Sequence, residues 1–244
     1  MSKKKKKNPK KTPAHRPGKK PQSNLPAIIF FSICGLVIAT FFVFFALNSN
    51  NKAANEEPKT YDFSYEGQPF VGSGNAPIKM VEFGDYKCPA CKVFQEKVYP
   101  KIKKDFIDNG QVQFFFINFP FIADDSITAA KAGEEVFSQN KEAFWDYHDA
   151  VYKNQGGEKA EWATVDFLTN LVEKNVPDID MSLFKQNMAD NVQVSKVNED
   201  IVIAQEAGVS STPTIFINGK EFVKWNDYSA IKEEFNRLLE SEGK

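Results

Sequence analysis

The sequence predicts an α/β domain that carries an inserted helical subdomain and is preceded by one transmembrane helix. Three observations support this: a strand–helix–strand pattern from Ile78 to Phe119, a hairpin and helix closing the chain between Thr214 and Leu239, and an uncharged apolar run from Leu25 to Leu47. The 244 residues suit one ordinary domain with extras or two small ones. Apolar residues at 42% against 26% charged make a globular composition, which argues against wholesale disorder.

The N-terminal region is read first. Residues 1–24 hold ten Lys/Arg and no acid, leaving 21 of the 31 basic residues against all 32 acidic ones, a net of −11, for the rest. A nucleic-acid binder keeps its positive charge on the folded part, so that class is largely excluded. From Pro21 to Asn51 no residue is charged. As a helix rising about 1.5 Å per residue, Leu25–Leu47 reaches roughly 34 Å, enough to cross a hydrocarbon core of about 30 Å. The lysines precede this run and the flank from Asn48 to Lys52 is nearly neutral, so residues 1–24 are placed in the cytoplasm and the domain outside. The expected location is the cell membrane, single-pass, with membrane lipid as a partner. A cleaved secretory signal is the competing reading. Its apolar core runs about 7–15 residues and ends in a small-x-small site, which Phe44-Phe45-Ala46-Leu47-Asn48 lacks. Cys34, mid-span, reads as a small apolar residue. The lysine run sets topology or, alternatively, also attracts anionic lipid. Residues 48–74, Asn-rich and then carrying Pro58, Gly67, Pro69, Gly72 and Gly74, read as an extracytoplasmic tether.

Within the domain, Ile78 to Phe83 is a buried strand following Ala76-Pro77. Cys88-Pro89-Ala90-Cys91 comes next, and a helical pattern continues through Val93, Phe94, Val98, Ile102 and Phe106 with a kink at Pro100. Asn109-Gly110 ends it and the aromatic-rich Gln111–Phe119 is a second strand, completing a βαβ unit that is right-handed by default. Thr214 to Ile217 is a short apolar run, Asn218-Gly219 a hairpin turn and Glu221 to Trp225 its partner strand. Tyr228, Ile231, Phe235, Leu238 and Leu239 mark a closing helix. The α/β part thus comprises 75–120 and 212–244. The 91 residues between, 121–211, exceed what a crossover needs. Their periodicity is helical (Phe144, Tyr147, Val151; Phe167, Leu168, Leu171; Val194, Val197, Ile201, Ala204), which makes them the inserted subdomain.

Cys88 and Cys91 fall three apart at a helix start, with both sulfurs on one face of the first turn. Free N–H groups and the positive end of the helix dipole favour a thiolate at the first cysteine. Pro89 suits the first helical position, where a missing N–H costs nothing. A low thiol pKa stabilises the reduced form, so the disulfide becomes an oxidant. Zinc needs four ligands, and beyond the apolar run the chain offers two cysteines and one histidine, His148. A merely structural bridge over two intervening residues stabilises little. A redox role is therefore preferred, with no cofactor beyond the Cys88–Cys91 disulfide and no metal. Thr212-Pro213 precedes the strand Thr214–Ile217. Proline there often marks an edge or a turn. The functional reading, which depends on the fold assignment, is a cis bond that turns the chain beside the cysteine face and exposes the Thr212 backbone to an extended substrate.

Together these features resemble the thioredoxin superfamily and, within it, the DsbA-like thiol–disulfide oxidoreductases. The resemblance covers Gly67 to Leu239 and is carried by Ala76-Pro77-Ile78, by Glu82-Phe83-Gly84-Asp85-Tyr86-Lys87-Cys88-Pro89-Ala90-Cys91, by the Asn118-Phe119 strand end, by the helical insertion and by Thr212-Pro213-Thr214. It implies a thioredoxin fold in which Cys88 is the exposed nucleophile, Cys91 the buried resolving cysteine and Pro213 the cis proline, with Thr212, Pro89 and Ala90 toward the substrate. The anchor and lysine-rich tail are similar to membrane-bound members of Gram-positive bacteria, and the resemblance implies reoxidation by a quinone-linked membrane thiol oxidase.

Two departures matter. The best-known oxidases of this family have a histidine between the cysteines, whereas Pro89-Ala90 leaves backbone N–H groups and the helix dipole to hold the thiolate. This predicts a Cys88 pKa below the free value but above the family's lowest, and a milder oxidant. Glu82 matches the buried acid such folds place behind the cysteine pair, where a carboxylate can shuttle the proton of Cys91. Some members pair that acid with a lysine on the next strand, but Gln111 to Phe119 has none, so burial should raise its pKa. A solvated strand carboxylate is the alternative.

His148 shares a helical face with Phe144, Tyr147 and Val151 and reads as a packing residue. Asp178 with Asp180, or Asp124 with Asp125, are either loop caps or ligands of a calcium ion. The expected function is an extracytoplasmic thiol oxidase that passes the Cys88–Cys91 disulfide to unfolded secreted or surface proteins. A reductase or isomerase of the same fold is the alternative, as is a non-catalytic peptide-binding module.

Overall fold

A computed structural model describes residues 40, 41, 43, 44 and 59–242. The first four are helical and exposed. The rest of the expected span 25–47 and the basic tail lie outside the described residues, and among the described residues no helix is long and apolar enough to cross a membrane.

From residue 59 onward the chain builds one five-stranded sheet. Its strands are β1 (Phe70–Val71), β2 (Ile78–Gly84), β3 (Val112–Asn118), β4 (Thr214–Ile217) and β5 (Lys220–Glu221), in the order β1-β3-β2-β4-β5. β2 and β3 run parallel and every other pair is antiparallel. All seven residues of β3 are buried, five of them apolar and Gln113 and Asn118 polar, as befits a central strand covered on both faces. The register sets Glu82 opposite Phe116 of β3 and Ile215 of β4.

The crossover from β2 to β3 is α1 (Pro89–Val93), a π-helical turn (Phe94–Val98), α2 (Tyr99–Ile102) and a second π-helical turn (Lys103–Ile107). The kink expected at Pro100 takes this form. Proline has no N–H to continue the ladder, and the hydrogen bonding widens into a π turn just before α2. Helices α3 (Asp124–Gln139), α4 (Phe144–Lys153), α5 (Val165–Asn175), α6 (Met181–Ala189) and α7 (Val194–Glu206) follow, and α8 (Tyr228–Glu242) closes the chain.

Three apolar cores result. One sheet face carries Met80, Phe114 and Ile215 against Phe94 and Ile102 of the crossover and Phe235 of α8. The other carries Val81, Phe83, Phe115 and Phe216 against Ala204 of α7 and Phe63. A third core, of Phe144, Tyr147, Leu168 and Phe184 from the helical insertion, also takes in Tyr86, Cys88, Cys91 and Phe116.

The structure departs from the sequence reading in three places. Residues 59–71, expected within the tether, pack on the domain: Thr60 bridges to Lys220, Phe63 is buried and β1 pairs with β3. Helix α7, expected within the insertion, packs on α3 and also covers a sheet face, because Ala204 and the following Ala207 and Val209 meet the apolar side of β2, β3 and β4. The hairpin partner strand, expected over Glu221–Trp225, is only two residues long. Past the bond from Phe222 N to Ile215 O at 2.7 Å, Phe222 and Trp225 turn onto the core while Val223 points to solvent. The turn itself is the expected one: Asn218 and Gly219 both have positive φ, as a two-residue I′ turn requires. A Cβ on Gly219 would lie 2.2 Å from the Tyr61 carbonyl oxygen.

Candidate active site

The site is assembled where β2 ends. A Cβ at Gly84 would fall 2.4 Å from the Phe116 ring, so glycine lets the neighbouring aromatic lie against the strand. Asp85 then folds the chain back. Its Oδ1 accepts from Lys87 N at 2.8 Å, its Oδ2 from Phe121 N and Ile122 N at 3.0 and 3.1 Å, and its carbonyl from Cys88 N at 2.9 Å. Gln155, after α4, donates to the carbonyls of Tyr86 and Cys88 at 2.8 and 3.0 Å. Lys87 is buried and pairs with Asp125 at 2.5 Å, while also donating to Ala160 O at 2.9 Å. The other Asp125 oxygen accepts from Trp162 N and Ala163 N. Four elements thereby immobilise the turn that presents the cysteines.

Cys88 occupies the N-cap position of α1 and Pro89 its first turn. Both cysteines are thiols, Cys88 with 7% exposure and Cys91 with none. The exposed nucleophile implied by the resemblance is thus accessible only at its edge, because the Cys88 thiol is tucked against Thr212, donating to its carbonyl at 3.2 Å. The Thr212–Pro213 bond is cis. Pro89 is exposed, Ala90 and Thr212 are half-buried, and Pro213 is buried.

The two thiols are driven apart in acidity. The Cys88 pKa is lowered to about 6, first by a hydrogen bond from the Cys91 thiol, against the opposing pull of burial, and then by Thr212 and the backbone N–H groups of Cys91 and Ala90. The Thr212 hydroxyl has no partner while Cys88 is a thiol and is placed to donate once it ionises. The Cys91 pKa is raised well above the thiol range by burial, by the bond to Cys88 and by the charge of Glu82. Behind the pair, Glu82 is completely buried with neither carboxyl oxygen partnered. Burial, reinforced by the Cys88 charge, raises its pKa well above the carboxylate range.

His148 packs against Phe116, with ring centroids 4.5 Å apart, and its Nδ1 lies 3.2 Å from the Tyr86 hydroxyl. Burial lowers its pKa to about 3, so it stays neutral, although its Nε2 has no partner. Two of the four acids offered as calcium ligands, one from each pair, have other work: Asp125 holds Lys87, and Asp180 caps α6 through Ser182 N and Leu183 N. Among the described residues no group of three or more such side chains is arranged to hold a metal ion. Sequence reasoning missed Asp85, Lys87, Asp125 as an ion-pair partner, and Gln155. Lys87 stands beside Cys88 in the motif, but lysine is almost never buried unless paired, and its partner lies 38 positions away.

One acidic thiol at the surface and one basic thiol behind it are the equipment of thiol–disulfide exchange. The thioredoxin family model matches residues 64–240. The disulfide bond formation protein D of Bacillus subtilis (strain 168) is 39% identical over 189 residues, covering 78% of this chain and 82% of that protein. A probable disulfide bond formation protein D of Bacillus cereus is 36% identical over 211 residues, covering 86% and 94%. The crystal structure of oxidised BdbD from Bacillus subtilis superposes with a TM-score of 0.71 at 38% identity, covering 76% of this chain and all of that one. Chlamydia trachomatis DsbA gives 0.66 at 25% identity, covering 75% and 98%. The chain belongs to the thioredoxin family and is a DsbA-like thiol–disulfide oxidoreductase.

Proposed function

We propose that this oxidoreductase acts outside the cytoplasmic membrane, anchored by the apolar run 25–47, and transfers its Cys88–Cys91 disulfide to unfolded secreted or surface proteins. The observation that carries the reading is the opposed acidity of the two thiols, with Cys88 lowered to about 6 and Cys91 raised. A thiolate stable at neutral pH favours the reduced enzyme, and its disulfide therefore oxidises. The relatives named for disulfide bond formation support the same direction.

A client thiolate attacks the Cys88 sulfur, the Cys88–Cys91 bond breaks, and Cys91 leaves as a buried thiolate. Glu82, protonated in its apolar surroundings, gives that sulfur its proton. A second client thiolate attacks the client sulfur of the mixed disulfide, the product disulfide forms, and Cys88 leaves as a thiolate. Thr212, Pro213, Pro89 and Ala90 border Cys88 and form the surface on which the client segment lies. Reoxidation falls to a quinone-linked membrane thiol oxidase.

The redox state in cells decides the direction. Acid quench followed by alkylation should find Cys88 and Cys91 mostly as disulfide, and a mostly dithiol population would make the protein a reductase. Cys88→Ser should abolish exchange, whereas Cys91→Ser should accumulate mixed disulfides with clients. Absence of such adducts would remove Cys88 as the sulfur that joins the client.

A further inference from the structure

One side chain from the helical insertion reaches the backbone of the reactive cysteine, and the exchange steps give it no part. Gln155 follows α4. Its Nε2 carries two hydrogens and has two acceptors on the turn, Tyr86 O at 2.8 Å and Cys88 O at 3.0 Å. A single amide thus bridges the Tyr86–Lys87 and Cys88–Pro89 peptide groups, which bracket Cys88. Cys88 is the N-cap of α1, with an extended ψ of 119°. Its carbonyl accepts the first intrahelical bond from Lys92 N at 3.2 Å, the long end of the usual range. The shorter bond from Gln155 is the one that pins this peptide plane.

The chain behind Gln155 is itself braced. Gly156 lies against the Trp162 ring, where a Cβ would fall 2.6 Å from the nearest ring atom. Trp162 N and Ala163 N donate to Asp125 Oδ2 at 3.0 and 3.2 Å, while Asp125 Oδ1 and Ala160 O hold the Lys87 ammonium. Residues 155–163 therefore grip the turn twice, at the carbonyls that flank Lys87 and Cys88 and at the Lys87 side chain. What this hold controls is the rotation about Cys88, and that rotation decides whether the sulfur meets the N–H groups of Ala90 and Cys91, which face it as a thiolate.

We propose that Gln155 is a positioning residue for Cys88: by fixing the two peptide groups around it, the amide keeps the sulfur among its N–H donors and so sets how strongly the disulfide oxidises. Aligned donors stabilise the thiolate and do little for the thiol, so the contribution of Gln155 enters only when Cys88 is ionised. The titratable groups around Cys88 are Cys91 on α1, Glu82 on β2, Asp85 and the Lys87–Asp125 pair at the turn, and Tyr152 on α4. Gln155 is uncharged at every pH, and replacing it with another uncharged residue leaves these groups in place. The inference rests on disulfide exchange at Cys88.

The test pairs titration of thiolate absorbance with the redox equilibrium of the full chain against reduced and oxidised glutathione, read at pH 5 and pH 8. Gln155→Met keeps an unbranched side chain and removes both donors. It should raise the thiolate midpoint by about one pH unit and weaken oxidation of glutathione about 10-fold at pH 8, where one pH unit in the midpoint is worth that factor. At pH 5 Cys88 is a thiol in both proteins, and their equilibria should agree. An unmoved midpoint, or an equilibrium displaced by the same factor at both pH values, would make Gln155 a packing residue and overturn the proposal. Should Gln155→Met fail to fold, Gln155→Asn, whose amide stops one methylene short of the two carbonyls, carries the same expectations. Cys88→Ser should abolish the titration; one that persists would defeat the chemistry assigned to Cys88 rather than the part given to Gln155.

Discussion

Lys87 places a buried charge one residue from the reactive thiol. Burial pulls the Asp125 pKa up, but Lys87 and the N–H groups of Trp162 and Ala163 outweigh it and hold the carboxyl below its usual range. Removing one member of a buried pair strands the other. Asp125→Ala should therefore cost about 3–5 kcal/mol in urea unfolding, and Lys87→Met combined with Asp125→Leu should recover most of that loss. At Cys88 the depressed pKa makes ionisation a stabilising event in the reduced protein. That contribution is complete above the unfolded thiol pKa and is lost as pH falls through about 6. Thermal melts of the reduced form relative to the oxidised form should accordingly rise between about pH 6 and pH 8.5, and thiolate absorbance should titrate with its midpoint near the lower value. A midpoint near that of free cysteine would remove the electrostatic basis of the mechanism.

The segment before β1 behaves as a strap. Thr60 bridges to β5 and Phe70–Val71 pairs with β3, so one stretch of chain reaches both sides of the sheet and ends it with very short pairings, which leave little unpaired strand to other molecules. Phe63 anchors it, with ring centroids 5.0 Å from Phe216 and 5.6 Å from Phe83. Phe63→Ala should cost about 3–5 kcal/mol by denaturant titration, whereas a true tether would tolerate it. The composition of 48–74, with its prolines and glycines, masks this. Tyr61, Phe63 and Tyr65 alternate with polar residues, a period-two signal that could have marked the strap. The βαβ unit and the hairpin were legible because each is written in adjacent residues. The brevity of β5 was not, because it follows from where Phe222 and Trp225 find apolar partners.

Across the molecule, a buried polar cluster joins strap, sheet, insertion and α7. Asn118 Nδ2 donates to Glu134 Oε1 at 2.8 Å and to Asp200 Oδ2 at 2.9 Å, and Gln68 Nε2 donates to Asp200 Oδ1 at 2.8 Å. Burial, with the charge of Asp200, raises the Glu134 pKa to about 8. A carboxyl raised in the folded state favours folding below its unfolded pKa, and that benefit fades as pH rises toward the folded value. Stability should fall from about pH 4.5 to pH 8, and Glu134→Gln should flatten the decline and raise the melting temperature at pH 8. The measurement belongs in a chelating buffer, so that no stray cation offsets the two charges. An equally steep decline in the variant would place the pH dependence elsewhere.

By itself the sequence determined the α/β class, the cysteine pair at a helix start, the Asn218-Gly219 turn and the acid six residues ahead of Cys88, because each is set by the backbone preferences and spacing of neighbouring residues. Tertiary structure alone decided that α7 covers the sheet, that Lys87 meets Asp125 and that Asn118 meets an acid 82 positions away. These depend on which surfaces the folded chain brings together, and no local pattern records a contact between residues so far apart.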